Sequence, residues 1–226
     1  MKKLGFMILT VMLILACAFA LADGKQKVVQ KNYYVVESYS NYFYFFAKVE
    51  NAGDAPITLD TGMLVIFDQD DEIVQTENYV YPYPRYLEPG EYAYARDWTF
   101  LEIGADDIGD VKFSIGLDRL RNPVTRIPCE AVYDAGDPLS KYDDYIYVTI
   151  ANTTDQTLFN LRVVGALLDE EGNILYVGQD SMSNLGIHAG STVTARLYID
   201  SDFAEHFMNN RIVPAVVDAL VYIEED

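Results

Sequence analysis

Apolar and polar residues alternate with a period of two along most of the chain. Phe43, Phe45, Ala47 and Val49 alternate with Tyr44, Phe46, Lys48 and Glu50. This is the pattern of a β-strand with one face toward a core. Ile146, Val148 and Ile150 repeat the pattern about a hundred residues later, with Tyr145 and Tyr147 on the opposite face. Val111, Phe113, Ile115 and Leu117 share one face of a further strand, and Ala219, Val221 and Ile223 share one face of another. Tyr33-Tyr34-Val35-Val36 reads as a first strand, rich in aromatic and β-branched residues. Sustained helical periodicity is missing after residue 22. Only Ser201-Asp202-Phe203-Ala204-Glu205-His206-Phe207 reads as a helical turn, with capping residues at its start and Phe203 and Phe207 four apart. A parallel sheet needs helical crossovers, so the pattern predicts an all-β chain of antiparallel sandwiches.

The chain also repeats itself. Residues 44–73 and 145–174 align without a gap at an offset of 101: Asn51 falls on Asn152, Asp54 on Asp155, Asp68 on Asp169 and Ile73 on Ile174. The strands stay in phase, as they must, because a slip of one residue would turn each core face outward. Both copies carry turn chemistry at the Asn, in Asn51-Ala52-Gly53-Asp54 and Asn152-Thr153-Thr154-Asp155. Both then close an acidic hairpin at Asp68 or Asp169. Further on, the offset becomes 100, and Leu87-Glu88-Pro89-Gly90 falls on Ile187-His188-Ala189-Gly190. The expected organisation is a leader over residues 1–22, a first β-sandwich over residues 23–122 and a second over residues 123–226. Residues 118–128 join them and hold Arg119, Arg121 and Arg126, the one basic cluster. Being short and containing Pro123 and Pro128, the join predicts a limited hinge.

The leader has Lys2 and Lys3, then an apolar run over residues 4–19, then the small-x-small site Ala20-Leu21-Ala22. This is the layout of a secretory signal peptide cut after Ala22. A lipid anchor at Cys17 is the alternative, and a membrane anchor is disfavoured by the short run. No second long apolar run follows, so no membrane span is expected in the mature chain. Taking Lys2 and Lys3 from the 16 basic residues leaves 14 against 35 acidic ones, a net charge near −21. Such a chain repels nucleic acid and anionic membrane surfaces. Cys129 is the only cysteine after the leader. It predicts a small buried strand residue, with no internal disulfide to staple the fold. Two sandwiches of about 100 residues can each bury a sufficient core without one.

The order of strand, Asn turn, strand, aliphatic-aromatic-Asp, acidic turn and Leu-x-Pro-Gly resembles the immunoglobulin-like FxLYD domains of bacterial secreted and surface proteins. The name motif falls on Leu64-Val65-Ile66-Phe67-Asp68 and Gly165-Ala166-Leu167-Leu168-Asp169, where only the Asp is kept in both copies. The resemblance implies a non-catalytic, extracytoplasmic module.

Candidate chemistry is sparse. Asp68, Asp70, Asp71 and Glu72 crowd one hairpin and could offer calcium oxygen ligands, but an EF-hand would need Gly and Glu where Ile73 and Tyr79 stand. His188 and His206 are the only histidines. No G-x-S-x-G elbow, phosphate loop or zinc-ligand spacing accompanies them. No enzyme activity, metal or cofactor is expected. Aromatic recognition is the best candidate. Tyr79, Tyr81, Tyr83, Tyr86, Tyr92, Tyr94 and Trp98 lie within 20 residues, and exposed rings on a β scaffold can stack on sugars or fill a partner's pockets. Thr192 and Thr194 replace Tyr92 and Tyr94 in the second copy, which suggests that the rings are not core. The ligand-binding set is Tyr79, Tyr81, Tyr83, Tyr86 and Trp98. The partner expected is a protein or polysaccharide of the cell envelope or its surroundings.

Overall fold

A computed structural model describes residues 24–37, 40–135, 144–183 and 185–224. The expected leader, with its expected cleavage site and Cys17, lies outside the described residues. The first half contains β1 (Gln26–Glu37), β2 (Asn41–Asn51), β3 (Ile57–Asp68), β4 (Ile73–Tyr83), β5 (Tyr86–Leu87), β6 (Tyr92–Leu101), a 3-10 turn (Ala105–Asp107) and β7 (Ile108–Leu117). The second half contains β8 (Val124–Ile127), β9 (Cys129–Asp134), β10 (Tyr145–Ala151), β11 (Leu161–Leu168), β12 (Ile174–Met182), β13 (Thr192–Tyr198), α1 (Ser201–Asn210) and β14 (Val216–Glu224). The described residues are all-β apart from α1 and the 3-10 turn, and the strand pairs are antiparallel.

In the first half β1-β2-β6 form one sheet, and β4-β3-β7 pair as another. The second half follows the same order with β9-β10-β13 and β12-β11-β14, plus β8 at the edge of β14. β4 crosses between the sheets of the first half, pairing with β3 and then, over Tyr81, Pro82 and Tyr83, with β6. The prolines argue against a central strand here, yet β4 runs through Pro82. The crossing is only three residues long and ends the strand, so a missing donor disturbs little of the ladder.

The two copies share their backbone devices. Asn51 is buried, and its Nδ2 donates to the carbonyls of Ala55 and Leu87 at 2.8 and 3.1 Å. Asn152 does the same to Gln156 and Ile187 at 2.7 and 2.8 Å. Their Oδ1 atoms accept from the backbone N–H of Gly53 and Thr154. Backbone bonds from Gly90 to Asn51 and from Gly190 to Asn152 complete the clasp between the two turns. Gly90 and Gly190 have φ of 79° and 71°, the left-handed region that favours glycine. Asp71 and Gly172, 101 positions apart, both have positive φ in the acidic hairpin.

Phe43, Phe45, Ala47 and Val49 are fully buried, as their alternation predicts, and so are Ile146, Val148 and Ile150. The opposite face of β2 is buried too. Tyr44 and Phe46, with Tyr94 of β6, join the core of the second half. Phe203 of α1 stands at the centre of this junction, with ring centroids 5.0 Å from Tyr44, 5.8 Å from Phe46 and 5.0 Å from Tyr176. The hydroxyls of Tyr92 and Tyr94 both donate to Asp218, at 2.6 and 2.7 Å. Asn32 and Gln30 of β1 donate to the carbonyls of Ile174 and Gly172 at 2.7 and 2.8 Å.

Two expectations are corrected by this junction. Tyr94 is core after all, because the second half covers it; Thr194 is exposed, with no third sheet among the described residues on its face of β10 and β13. The hinge over residues 118–128 is pinned instead: Asp118 accepts from Arg85 and Arg121, the Arg121 N–H donates to Thr58, and Arg126 pairs with Glu91. Cys129 opens β9 and is half-buried rather than buried.

Replacing Asn51 by Ala would leave buried backbone carbonyls without a donor. The expected loss is about 2–4 kcal/mol, with a comparable loss for Asn152→Ala, read from urea unfolding. A loss below about 0.5 kcal/mol at both positions would show that the clasp is not structural. The junction also predicts alkaline sensitivity. Burial first, and then Asp218, raises the phenols of Tyr92 and Tyr94 above their usual value. Their contribution is complete below the unfolded tyrosine value of about 10 and is lost as pH rises above it. Melting temperature should hold to about pH 9 and fall beyond about pH 10, and Tyr94→Phe should make that fall shallower.

Candidate functional site

Tyr79, Tyr81 and Tyr83 lie on one side of β4, alternating with buried Val80 and Pro82. Strand alternation puts three rings in a row because the intervening residues fill the core. Tyr79 is 70% exposed and Tyr81 45%, while Tyr83 is half-buried against the core of the second half. Tyr81, Tyr83 and Tyr86 line one groove of about 600 Å³, together with Arg85, Arg121, Arg162 and Glu224. Arg162 and Glu224 come from β11 and β14, so both halves of the chain build the groove.

The arginines are held differently. Arg85 donates to the Leu59 carbonyl at 2.9 Å and to Asp118 at 3.0 Å. Arg121 donates to the same carboxylate oxygen at 3.1 Å. Hydrogen bonds from the Arg119 N–H and Arg121 hold the Asp118 carboxyl below its usual value. Arg162 sits across from Tyr222 in the ladder and forms no ion pair among the described residues. It acts on Tyr83, whose phenol is raised by burial against the opposing pull of Arg162 and Arg96. Tyr222 is fully buried, and its hydroxyl has no hydrogen-bond partner among the described residues. The charges acting on that hydroxyl include Glu224 and Arg162 of the groove.

The remaining expected residues separate from this groove. Tyr86 lines it but is itself 5% exposed, with its hydroxyl donating to Glu88 at 2.7 Å. Tyr79 continues the row of rings beyond the groove lining. Trp98 belongs to another patch, 6.2 Å from Tyr42 and 5.5 Å from Phe100 between ring centroids. Tyr92 and Tyr94 face the junction. Sequence reasoning missed Arg85, Arg162 and Glu224. Arg162 did leave a trace, as the one charged residue in the otherwise apolar β11.

The other candidates have structural partners. The Asp68 carboxylate accepts from the backbone N–H of Asp70 and Glu72, both at 2.9 Å, and Asp169 accepts from that of Asn173 at 2.7 Å. Each acid therefore closes its own hairpin. His188 lies within 3.3 Å of the Thr157 hydroxyl. His206 packs between Tyr34 and Phe203, and burial lowers its pKa.

No family model matches the chain, and no curated protein matches it. Among solved structures it is similar to a β-glucuronidase from glycoside hydrolase family 2, at 8% identity, over 83% of this chain and 21% of that one. The TM-score of that likeness is 0.21, too low to carry an argument about fold or activity.

The Asp118 clasp predicts an acid dependence. Its lowered carboxyl contributes stability above the usual carboxylate value of about 4, and that contribution is lost as pH falls through the lower folded value. Asp118→Asn should therefore flatten the acid limb of the stability profile. Identical acid limbs for the two proteins would rule the clasp out.

Proposed function

We propose that the chain is a secreted, non-catalytic bacterial module of two immunoglobulin-like repeats, residues 23–122 and 123–226, which binds an envelope or extracellular partner through the tyrosine and arginine groove. The observation that carries this reading is the position of the groove. It lies where the repeats differ and draws side chains from both. Met182 stands where Tyr81 does, and Leu185 and Gly186 stand where Arg85 and Tyr86 do. The repeated Asn clasps and acidic hairpins serve the fold, which leaves the unshared surface for recognition. A secretory leader and an all-β scaffold fit a module of this kind.

A carbohydrate-binding or adhesive role is the second reading. It is favoured by the exposure of Tyr79 and Tyr81 in one row, since rings at small entropy cost give sugars a flat stacking surface. The mature protein is expected to retain at least one polymer from a panel of peptidoglycan, neutral and acidic polysaccharides and envelope proteins, and to lose that retention on Tyr81→Ala. It should show no turnover of ester, peptide or glycoside substrates. Turnover that survives purification would reverse the non-catalytic assignment, and failure to retain anything would remove the binding role.

A further inference from the structure

The chain carries a formal charge of −19, yet three of its guanidinium groups converge on one groove beside three tyrosines. The carboxylates nearby do not use up that charge evenly. Asp118 takes hydrogen bonds from Arg85 and Arg121, and Glu224 is the one acid in the groove lining. Arg162 is half-buried and has no ion pair among the described residues, with Glu224 two residues from its ladder partner Tyr222. Beside Arg162 in the ladder, the buried Tyr222 hydroxyl has no hydrogen-bond partner among the described residues. Beyond the groove lining the next exposed ring on β4 is Tyr79, two residues before Tyr81.

We propose that the groove binds a polysaccharide bearing carboxylate groups, with sugar faces stacked along Tyr79 and Tyr81 and a carboxylate on Arg162. The inference rests on the carbohydrate reading above. A guanidinium binds a carboxylate through two parallel hydrogen bonds, a geometry that a lysine or hydroxyl cannot reproduce. The net negative charge of the chain does not prevent this. At physiological ionic strength charges beyond about 8 Å are largely screened, so the local arginines decide what enters. An added peptide strand has less to hold it, because Tyr81, Pro82 and Tyr83 are already paired with β6.

The test uses the mature protein in affinity electrophoresis and calorimetry. Polygalacturonate, alginate and hyaluronate are the acidic probes; methyl-esterified polygalacturonate and xylan are the neutral ones; poly-glutamate is the acidic peptide. At least one acidic polysaccharide should bind, about tenfold more tightly than its neutral counterpart. Arg162→Gln should remove most of that preference, and Arg162→Lys should restore only part of it. Thermal melts of both variants confirm folding, and Tyr81→Ala, at an exposed position, tests stacking without touching the charge. Equal binding of acidic and neutral polymers would overturn the carboxylate assignment while leaving carbohydrate binding intact. Binding of poly-glutamate as tight as that of the polysaccharides would overturn the glycan assignment. Retention of an envelope protein alone would overturn it too, while sparing the broader binding role.

Discussion

Along the centre of the sheet β1-β2-β6, both faces are covered. Phe43, Phe45, Ala47 and Ala95 point into the core of the first half, and Tyr44, Phe46 and Tyr94 point into that of the second. A strand in this position cannot alternate between apolar and polar as a half-exposed strand does. It must be apolar on one side and amphipathic on the other, which is where tyrosine is useful: the ring fills space and the hydroxyl finds a partner. Asp218 supplies that partner for two tyrosines at once. The placement of the second half follows from this sheet, and so do the pinned join and the groove.

The repeats show how the same scaffold was kept while its outer face diverged. The Asn clasp, the glycine with positive φ and the Asp-closed hairpin occur at matching positions because each answers a backbone problem that recurs with the fold. Buried carbonyls at a turn need donors, and a left-handed residue needs glycine or a tolerant Asp. Inside the sandwich the answers differ. Leu64 fills its place in the first copy. Gly165 stands there in the second, where Leu197 and Ile146 approach so closely that a Cβ would meet them at 2.9 and 3.0 Å. At Gly165, therefore, Leu197 and Ile146 take the space that a side chain would need.

Strand identity, phase, hairpins and the clasp turns were legible in the sequence because each depends on local periodicity or turn chemistry. The fate of the second face of β2 was not, since Tyr44 and Phe46 look the same on a strand whether they meet water or another sheet. The same ambiguity governed the aromatic run. Tyr79 and Tyr81 are exposed, Tyr83 and Tyr86 line the groove while largely or partly buried, Tyr92 and Tyr94 belong to the junction, and Trp98 joins a separate patch. Arg162 and Glu224 could be placed beside Tyr81 only by the docking of the two halves, a relation far apart in the chain and not written in any motif.

The face of the second half equivalent to the docked one shows what the junction requires. Tyr145, Tyr147, Arg196 and Tyr198 occupy the positions of Tyr44, Phe46, Arg96 and Trp98. Arg196 lies over the Tyr145 ring, 4.6 Å from its centroid, and Tyr198 is 49% exposed. The aromatic residues are retained, but the surroundings are not. Thr192 and Thr194 replace the two tyrosines that reach Asp218. By register, Glu130, Val132 and Asp134 of β9 stand where Gln30, Asn32 and Tyr34 of β1 stand. Two of the polar groups that grip the second half's hairpin have thus become an acid and a valine, while the first half's own hairpin carries Asp68, Asp70, Asp71 and Glu72. A second copy approaching in the same manner would set acid against acid. The residues that make the first face adhesive within the chain, Tyr92, Tyr94, Gln30 and Asn32, are the ones replaced on the second.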